Sequence, residues 1–265
     1  MRIAPYIKLM LVGDHFLAGT YQPQPMIKIQ GEFLSTYGFT LRELITVSGN
    51  QNTIQLTPIG KGKQTYLKHV AQIRQNKQQL IEVQMRTTGQ NPKRPTHQLC
   101  LTLEGWLLSR FKYQIGDVIL LTCSQGIIQI KKVDPLSLGF DAQMQFRIFT
   151  VYHMKKRKIE VPSIQLMGQW IDECGFSINH YADMVFTDDA MIFTPTTQRQ
   201  PRIRKGTFPK QINVTTYRRA SKVYAKLAVS GKWLLNAGYE SGDTLLVGYK
   251  KGCLRLRRTC FISLI

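Results

Sequence analysis

The chain has 265 residues, and its 36 Lys and Arg against 16 Asp and Glu give a formal net charge of +20 at pH 7. A hydrophobic content of 43% excludes an intrinsically disordered chain, and no apolar stretch is long enough for a transmembrane helix. The charge predicts a polyanionic partner, of which nucleic acid is the commonest, with an acidic protein or an anionic membrane as the alternatives.

The predicted elements recur in the same order four times along the chain. Each repeat opens with an apolar strand, and these strands read YIKLMLV, QLIEVQM, QFRIFTVY and QINVTTY. A second strand of alternating apolar residues follows and ends at Gly31, Gly105, Gly168 and Gly231. The offsets counted from these glycines agree in all four repeats, which indicates one repeated structural unit.

A short helix is predicted directly after each of these glycines. Residues two, three and six positions later are mostly apolar and share one side of a helix, so we expect them, Trp170 and Trp233 included, to lie in the core. The helices are predicted over residues 32–37, 106–111, 169–174 and 232–237. Glycine ends three of them, whereas Lys112 takes that position in the second repeat.

Two further alternating strands complete each repeat, which is therefore β-β-α-β-β. One such repeat is too small to enclose its helix, so we expect two repeats to share one barrel-like core. Residues 1–133 hold the first two units, with a linker of helix-forming composition at about 60–79, and residues 145–265 hold the other two, with a linker at about 195–210. The predicted fold class is α+β, mostly β.

Residues of the fourth repeat resemble the SymE-type toxin family. The matching residues are Tyr217, Gly231, Trp233, Leu234, Ala237, Gly238, Tyr239, Gly242, Gly252, Cys253 and Leu254. The third repeat is similar through IQLMGQWIDECGF, and the first two fit more loosely. That family is similar in turn to the AbrB/MazE swapped-hairpin superfamily. The resemblance implies four SymE/AbrB-like units paired as two intramolecular swapped-hairpin pseudo-dimers.

The resemblance also implies a function class, because most members of the superfamily bind DNA. Together with the charge, it predicts a non-enzymatic bacterial protein that binds duplex DNA mainly through backbone phosphates. The first alternative is a SymE-type toxin that binds or cleaves RNA, as part of a toxin–antitoxin pair. The second is a scaffold for an acidic protein partner. Because the pairing of units is internal, no oligomer is required.

Candidate phosphate-binding residues concentrate in the last third of the chain. Residues 196–265 contain 15 Lys and Arg against two acidic residues, a density far above that of an average surface. In the closing strand, Leu254 and Leu256 are predicted to face inward, which turns the neighbouring arginines outward. The full candidate set is Lys155, Lys156, Arg157, Lys158, Arg202, Arg204, Lys205, Arg218, Arg219, Lys222, Arg255, Arg257 and Arg258.

No pattern in the sequence favours catalysis, a metal or a cofactor. One ionisable position recurs twelve residues after the repeat glycine, at Glu43, Asp117, His180 and Asp243, and we expect it to bind its own turn. The five cysteines form no CxxC pair, and the five histidines have no ligand spacing. An odd number of cysteines favours reduced thiols, and Lys8 interrupts the N-terminal apolar run. We therefore expect a cytoplasmic, nucleoid-associated protein.

Overall fold

The computed structural model describes residues 4–16, 22–75, 79–88, 96–156, 159–187, 189–200 and 211–259. The chain divides into two compact units, Met1–Asp134 and Pro135–Ile265. In both units the described residues form antiparallel sheets connected by short helices and turns. The predicted α+β, mostly β class is confirmed.

The described part of the first unit contains ten strands and three helices. The strands are β1 (Tyr6–Leu11), β2 (Gly13–Phe16), β3 (Pro23–Gln30), β4 (Glu43–Gly49), β5 (Thr53–Lys61), β6 (Gln79–Glu82), β7 (Gln84–Thr88), β8 (Thr96–Glu104), β9 (Val118–Ser124) and β10 (Ile127–Lys132). The helices are α1 (Phe33–Thr36), α2 (Gly62–Gln75) and α3 (Trp106–Arg110). Helix α2 lies in the stretch whose composition predicts a connecting helix.

Both repeats contribute strands to each sheet of the first unit. Its six-stranded sheet has the order β1-β9-β10-β5-β4-β6, and its four-stranded sheet has the order β2-β3-β8-β7. The first repeat supplies β1 to β5 and the second supplies β6 to β10. Strand β1 therefore pairs with the second repeat, and β6 pairs with the first. The two repeats are joined by backbone hydrogen bonds as well as by side-chain contacts.

The second unit contains ten strands and two helices among its described residues. The strands are β11 (Gln145–Thr150), β12 (Tyr152–Lys156), β13 (Ile159–Met167), β14 (Tyr181–Phe186), β15 (Ala190–Thr196), β16 (Gln211–Asn213), β17 (Thr215–Arg219), β18 (Lys222–Ser230), β19 (Thr244–Lys250) and β20 (Cys253–Arg258). The helices are α4 (Gln169–Glu173) and α5 (Lys232–Asn236), and a 3₁₀ turn (Pro135–Leu138) opens the unit.

The strand order of the second unit repeats that of the first. Its sheets are β11-β19-β20-β15-β14-β16 and β12-β13-β18-β17, which is the first unit's order with ten added to every strand number. The two units, which share an apolar pattern, therefore have the same topology, although their surface residues differ.

Each unit has one hydrophobic core to which both of its repeats contribute. Leu34 and Leu108 are completely buried in the first core, and Ile171 and Leu234 are completely buried in the second. Trp170 is 6% exposed, and Trp233 is half-buried against the same cluster. The helix residues that the sequence predicts to be apolar core residues therefore lie against the core.

The glycines that precede α1, α4 and α5 have a steric reason. At Gly31, Gly168 and Gly231 the φ angles are +145°, +120° and +148°, a region that side chains rarely adopt. A Cβ at Gly231 would lie 2.8 Å from Cδ1 of Trp233. The large side chain two residues later folds back over the glycine, so the two residues are required together.

None of the helices in the described part of the chain could span a bilayer. The longest is α2, with 14 residues.

Candidate nucleic-acid interface

An outward-facing set of basic and aromatic side chains lies on the hairpin of β17 and β18. Ala225, Leu227 and Val229 of β18 are buried, so the residues that alternate with them point away from the core. We call this set the hairpin face, and it comprises Tyr217, Arg219, Lys222, Tyr224 and Lys226.

The strand register brings these five residues together. Tyr217 is opposite Tyr224, and Arg219 is opposite Lys222 across the hairpin. Side chains of directly opposed residues lie roughly 5 Å apart at their Cβ atoms. Arg219 and Lys222 are exposed, while the tyrosines are half-buried. The hairpin face thus combines two tyrosine rings with exposed positive charge.

The corresponding hairpin of the first unit, β7 and β8, lacks this combination. Counted from the repeat glycines, Gln98 and Cys100 stand where Tyr224 and Lys226 stand. Gln98 pairs with Arg86, the position equivalent to Tyr217. Ala225, Leu227 and Val229 are buried on β18, and Leu101 and Leu103 are buried on β8. The inward side is apolar in both units, so the fold does not require the tyrosines and lysines of the second unit.

Of the candidate residues on this hairpin, Arg219 and Lys222 belong to the hairpin face and Arg218 is exposed beside them. Sequence reasoning missed Tyr224 and Lys226. The alternation in KVYAKLAVS was the available signal. Because Ala225 and Leu227 are buried, the alternating residues Tyr224 and Lys226 point outward.

The first two residues of the basic KKRK segment, Lys155 and Lys156, lie at the opposite end of the same four-stranded sheet. Lys155 is exposed on β12, and Lys156 is the last residue of that strand, whereas Arg157 and Lys158 are outside the described residues. Strands β13 and β18 are antiparallel, so the β12–β13 and β17–β18 hairpin ends point in opposite directions. The candidate linker residues Arg202, Arg204 and Lys205 are also outside the described residues.

The arginines of the closing strand do not form the free surface that the sequence predicts. Arg255 donates a hydrogen bond to the carbonyl oxygen of Gly139, and Arg257 donates one to that of Leu138. Nη2 of Arg257 lies 2.6 Å from Oδ2 of Asp189, and the side chain is only 16% exposed. Leu254 and Leu256 are buried as expected. The outward-facing arginines, however, are covered by the backbone at Leu138 and Gly139.

Arg258 is also bound within the unit. Its guanidinium donates a hydrogen bond to the carbonyl oxygen of Gly238 and lies over the ring of Tyr239, 5.6 Å from its centroid. Burial raises the pKa of Tyr239 to about 12, although the positive charge of Arg258 opposes the shift. The three closing-strand arginines therefore stabilise the second unit rather than presenting free charge.

Loss of the carboxylate at Asp189 is expected to destabilise the second unit. The Asp189→Asn substitution keeps the shape but removes the charge that faces Arg255 and Arg257, at an expected cost of about 1–3 kcal/mol. Urea denaturation followed by tryptophan fluorescence measures this change. The matched substitution Glu160→Gln, at an exposed strand position, is expected to stay within about 0.5 kcal/mol of the parent. Equal midpoints for the two variants would contradict a stabilising role.

The recurring ionisable position binds its own turn, as predicted, in three repeats. Glu43 accepts the backbone N–H of Thr40 at 2.9 Å, and Asp117 accepts that of Gln114 at 2.8 Å. Asp243 accepts the backbone N–H of Glu240 at 2.8 Å. These carboxylates are therefore engaged in turn formation, which explains why an acidic residue recurs there.

Two buried cysteines are protonated at neutral pH. Burial raises the pKa of Cys123 and of Cys174 to about 11, so neither is a thiolate nucleophile under ordinary conditions. Within the described ranges, no group of three or more His, Cys, Asp or Glu side chains is arranged to hold a metal ion.

No family model, no curated protein and no solved structure matches the chain.

Proposed function

We propose that this chain is a non-enzymatic, strongly basic protein of SymE/AbrB-like type that binds duplex DNA mainly through its backbone phosphates. Its four units, each with five strands and one short helix between the third and fourth strands, pair as two intramolecular swapped-hairpin pseudo-dimers, so no further oligomer is needed. The protein acts in the cytoplasm, associated with the nucleoid.

The observation that carries this proposal is the hairpin face. Arg219 and Lys222 are exposed and opposite each other, and Lys226 continues the positive charge along β18. Lysine and arginine neutralise phosphates without reading the base sequence. In the first unit the positions equivalent to Arg219, Lys222 and Lys226 hold the uncharged Thr88, Thr96 and Cys100. This difference favours a role in binding over a role in folding.

The revised DNA-contacting set keeps the exposed candidates, adds the half-buried Lys226 and leaves out the closing strand. It comprises Lys155, Arg218, Arg219, Lys222 and Lys226. The arginines at 255, 257 and 258 are excluded because each already binds a backbone carbonyl of the same unit. Substituting them would weaken the fold and so would not report on DNA contact alone.

An RNA-binding role is the second candidate, and one observation favours it. Tyr217 and Tyr224 are paired across the hairpin, and tyrosine rings provide stacking surfaces for unpaired bases. Duplex DNA offers no unstacked base without distortion, whereas single-stranded RNA does.

The test compares two triple variants that remove equal charge. Arg219→Gln, Lys222→Gln and Lys226→Gln together are expected to weaken duplex binding by about tenfold or more and to reduce the salt slope by about three. The control combines Lys28→Gln, Arg86→Gln and Lys131→Gln in the first unit. Fluorescence anisotropy with a short labelled duplex measures both, with circular dichroism to confirm folding.

The outcomes separate the three functions. Equal losses in the two triple variants would contradict a site on the hairpin face. Binding by the parent to single-stranded RNA but not to duplex DNA would replace the DNA proposal by the RNA candidate. Absence of binding to either nucleic acid would leave the acidic protein partner.

A further inference from the structure

A solvent-open cavity of about 590 Å³ lies at one end of the six-stranded sheet of the first unit, and its charged and aromatic lining residues are exposed. Its walls include Arg42, Leu44, Lys61, Lys63, Tyr66 and Glu82. The volume is within the usual range of small-molecule sites. The cavity lies in a different unit from the hairpin face, so it needs an explanation of its own.

The fold builds this cavity from three adjacent strands and one helix. Leu44 of β4 is opposite Gly60 of β5 on one side and Glu82 of β6 on the other. Helix α2 begins directly after β5 and packs against β4 and β5. Gly60 and Gly62 have φ angles of +107° and +82°, which permit the sharp change of direction. Tyr66, one turn into the helix, forms an aromatic wall.

Arg42 occupies a backbone conformation that disfavours arginine. Its φ angle is +60°, and the equivalent residues of the other repeats are Gly116, Asn179 and Gly242, with φ angles of +89°, +67° and +98°. Glycine and asparagine are the residues that tolerate this region. The first repeat therefore carries a long cationic side chain at a position where its sister repeats carry the residues that the backbone prefers.

Lys112 is a similar exception, with a φ angle of +58°. Its carbonyl oxygen accepts a hydrogen bond from Nζ of Lys132 at 2.6 Å, and the backbone N–H of Arg42 donates to the carbonyl oxygen of Val83 at 2.9 Å. Any residue could make either of these backbone bonds. At Arg42, however, the side chain lines the cavity, which gives arginine a role there that glycine could not fill.

The charges around the cavity match a phosphate monoester. Arg42, Lys61 and Lys63 supply three positive charges, and Glu82 supplies one negative charge. None of the four ion pairs between described residues involves these side chains. The resulting charge of about +2 complements a phosphate monoester, which carries about −1.5 to −2 near neutral pH. The apolar and aromatic walls suit a flat ring attached to that phosphate.

We propose that this cavity binds a nucleotide, with the phosphate held by Arg42, Lys61 and Lys63 and the base against Tyr66 and Leu44. Glu82 accepts a hydrogen bond from an amino group of the base. The ligand is either a free mononucleotide or the phosphorylated 5′ end of a strand, since both present the same chemical group. This site is independent of the hairpin face, and its occupation does not depend on duplex binding.

Calorimetric titration of the full-length protein with GMP tests the proposal. We expect saturable binding, at least about tenfold weaker binding of guanosine, and a similar loss in the Arg42→Gly variant, because a charge-assisted hydrogen bond to the phosphate is removed. Arg42→Gly installs the residue of the sister repeats, so its thermal midpoint is expected to equal or exceed that of the parent. A merely structural role for Arg42 would lower the midpoint instead.

The other variants and ligands complete the test. Lys61→Gln with Lys63→Gln is expected to weaken GMP binding by about tenfold or more, and the exposed control Lys131→Gln is expected to leave it unchanged. If a 5′-phosphorylated trinucleotide binds as tightly as GMP, the natural ligand is the end of a strand. If GMP binds more tightly, the natural ligand is a free nucleotide. Absence of saturable GMP and trinucleotide binding, or unchanged affinity in Arg42→Gly, would overturn the proposal whatever the duplex affinity is.

Discussion

The affinity for duplex DNA is expected to fall about a thousandfold when the salt concentration rises from 50 to 200 mM, if about six phosphates are contacted. Each phosphate that a lysine or arginine neutralises releases condensed counterions, and this release is less favourable when the bulk salt concentration is high. A net charge of +20 supplies enough basic residues for such a contact number. The measurement is fluorescence anisotropy of one labelled duplex over a series of salt concentrations.

Two comparisons make this expectation specific. Duplexes of unrelated sequence should bind with similar affinity, because phosphate contacts carry no base information. The hairpin-face triple variant should show a shallower salt dependence than the parent, by about one unit of slope for each lost contact. Duplex binding that is insensitive to salt would contradict the proposed phosphate contacts.

Removal of the Phe176 ring is expected to destabilise the second unit by about 3–5 kcal/mol. Phe176 is completely buried, and its backbone N–H donates to the carbonyl oxygen of Ile171 at 3.2 Å, at the end of α4. The Phe176→Ala substitution loses the transfer free energy of the ring and leaves a cavity that the surrounding strands fill only partly. Urea denaturation monitored by tryptophan fluorescence reports this change, because Trp170 and Trp233 pack against the same core.

An exposed leucine in the same unit is the matched control. Leu235 lies on α5 and is 46% exposed, so Leu235→Ala is expected to change the free energy of unfolding by less than about 0.5 kcal/mol. A shift of the same size for both substitutions would mean that Phe176 is not part of a close-packed core.

Local pattern was enough to predict most of the repeated elements, but not that the opening strand of each repeat divides into two strands in different sheets, such as β6 and β7. The alternation of apolar residues, the paired glycine and large side chain at Gly231 and Trp233, and the turn carboxylate at Asp243 all act over a few residues. Each is visible in the sequence for that reason. Composition likewise predicted helix α2, and strand alternation predicted the inward direction of Leu254.

The candidate surface was only partly predictable. Charge density directed attention to the hairpin of β17 and β18, where Arg219 and Lys222 are exposed, but it ranked Arg255 and Arg257 with the free residues. The sequence alone predicts which side of the strand a residue faces, but not which segment packs against that side. The segment that packs against these arginines is the chain at Leu138 and Gly139, 116 to 119 residues earlier.

The sequence by itself therefore determined the mostly β class, the short helices and the overall excess of positive charge, because these depend on composition and on neighbours within one turn or strand. The tertiary structure decided which charges are free, since burial of Arg257 against Leu138 and exposure of Lys222 arise from contacts between distant segments. It also decided that Arg42, Lys61 and Glu82 surround one cavity. Those residues meet only because β4, β5 and β6 lie side by side, and no pattern within a single strand encodes that neighbourhood.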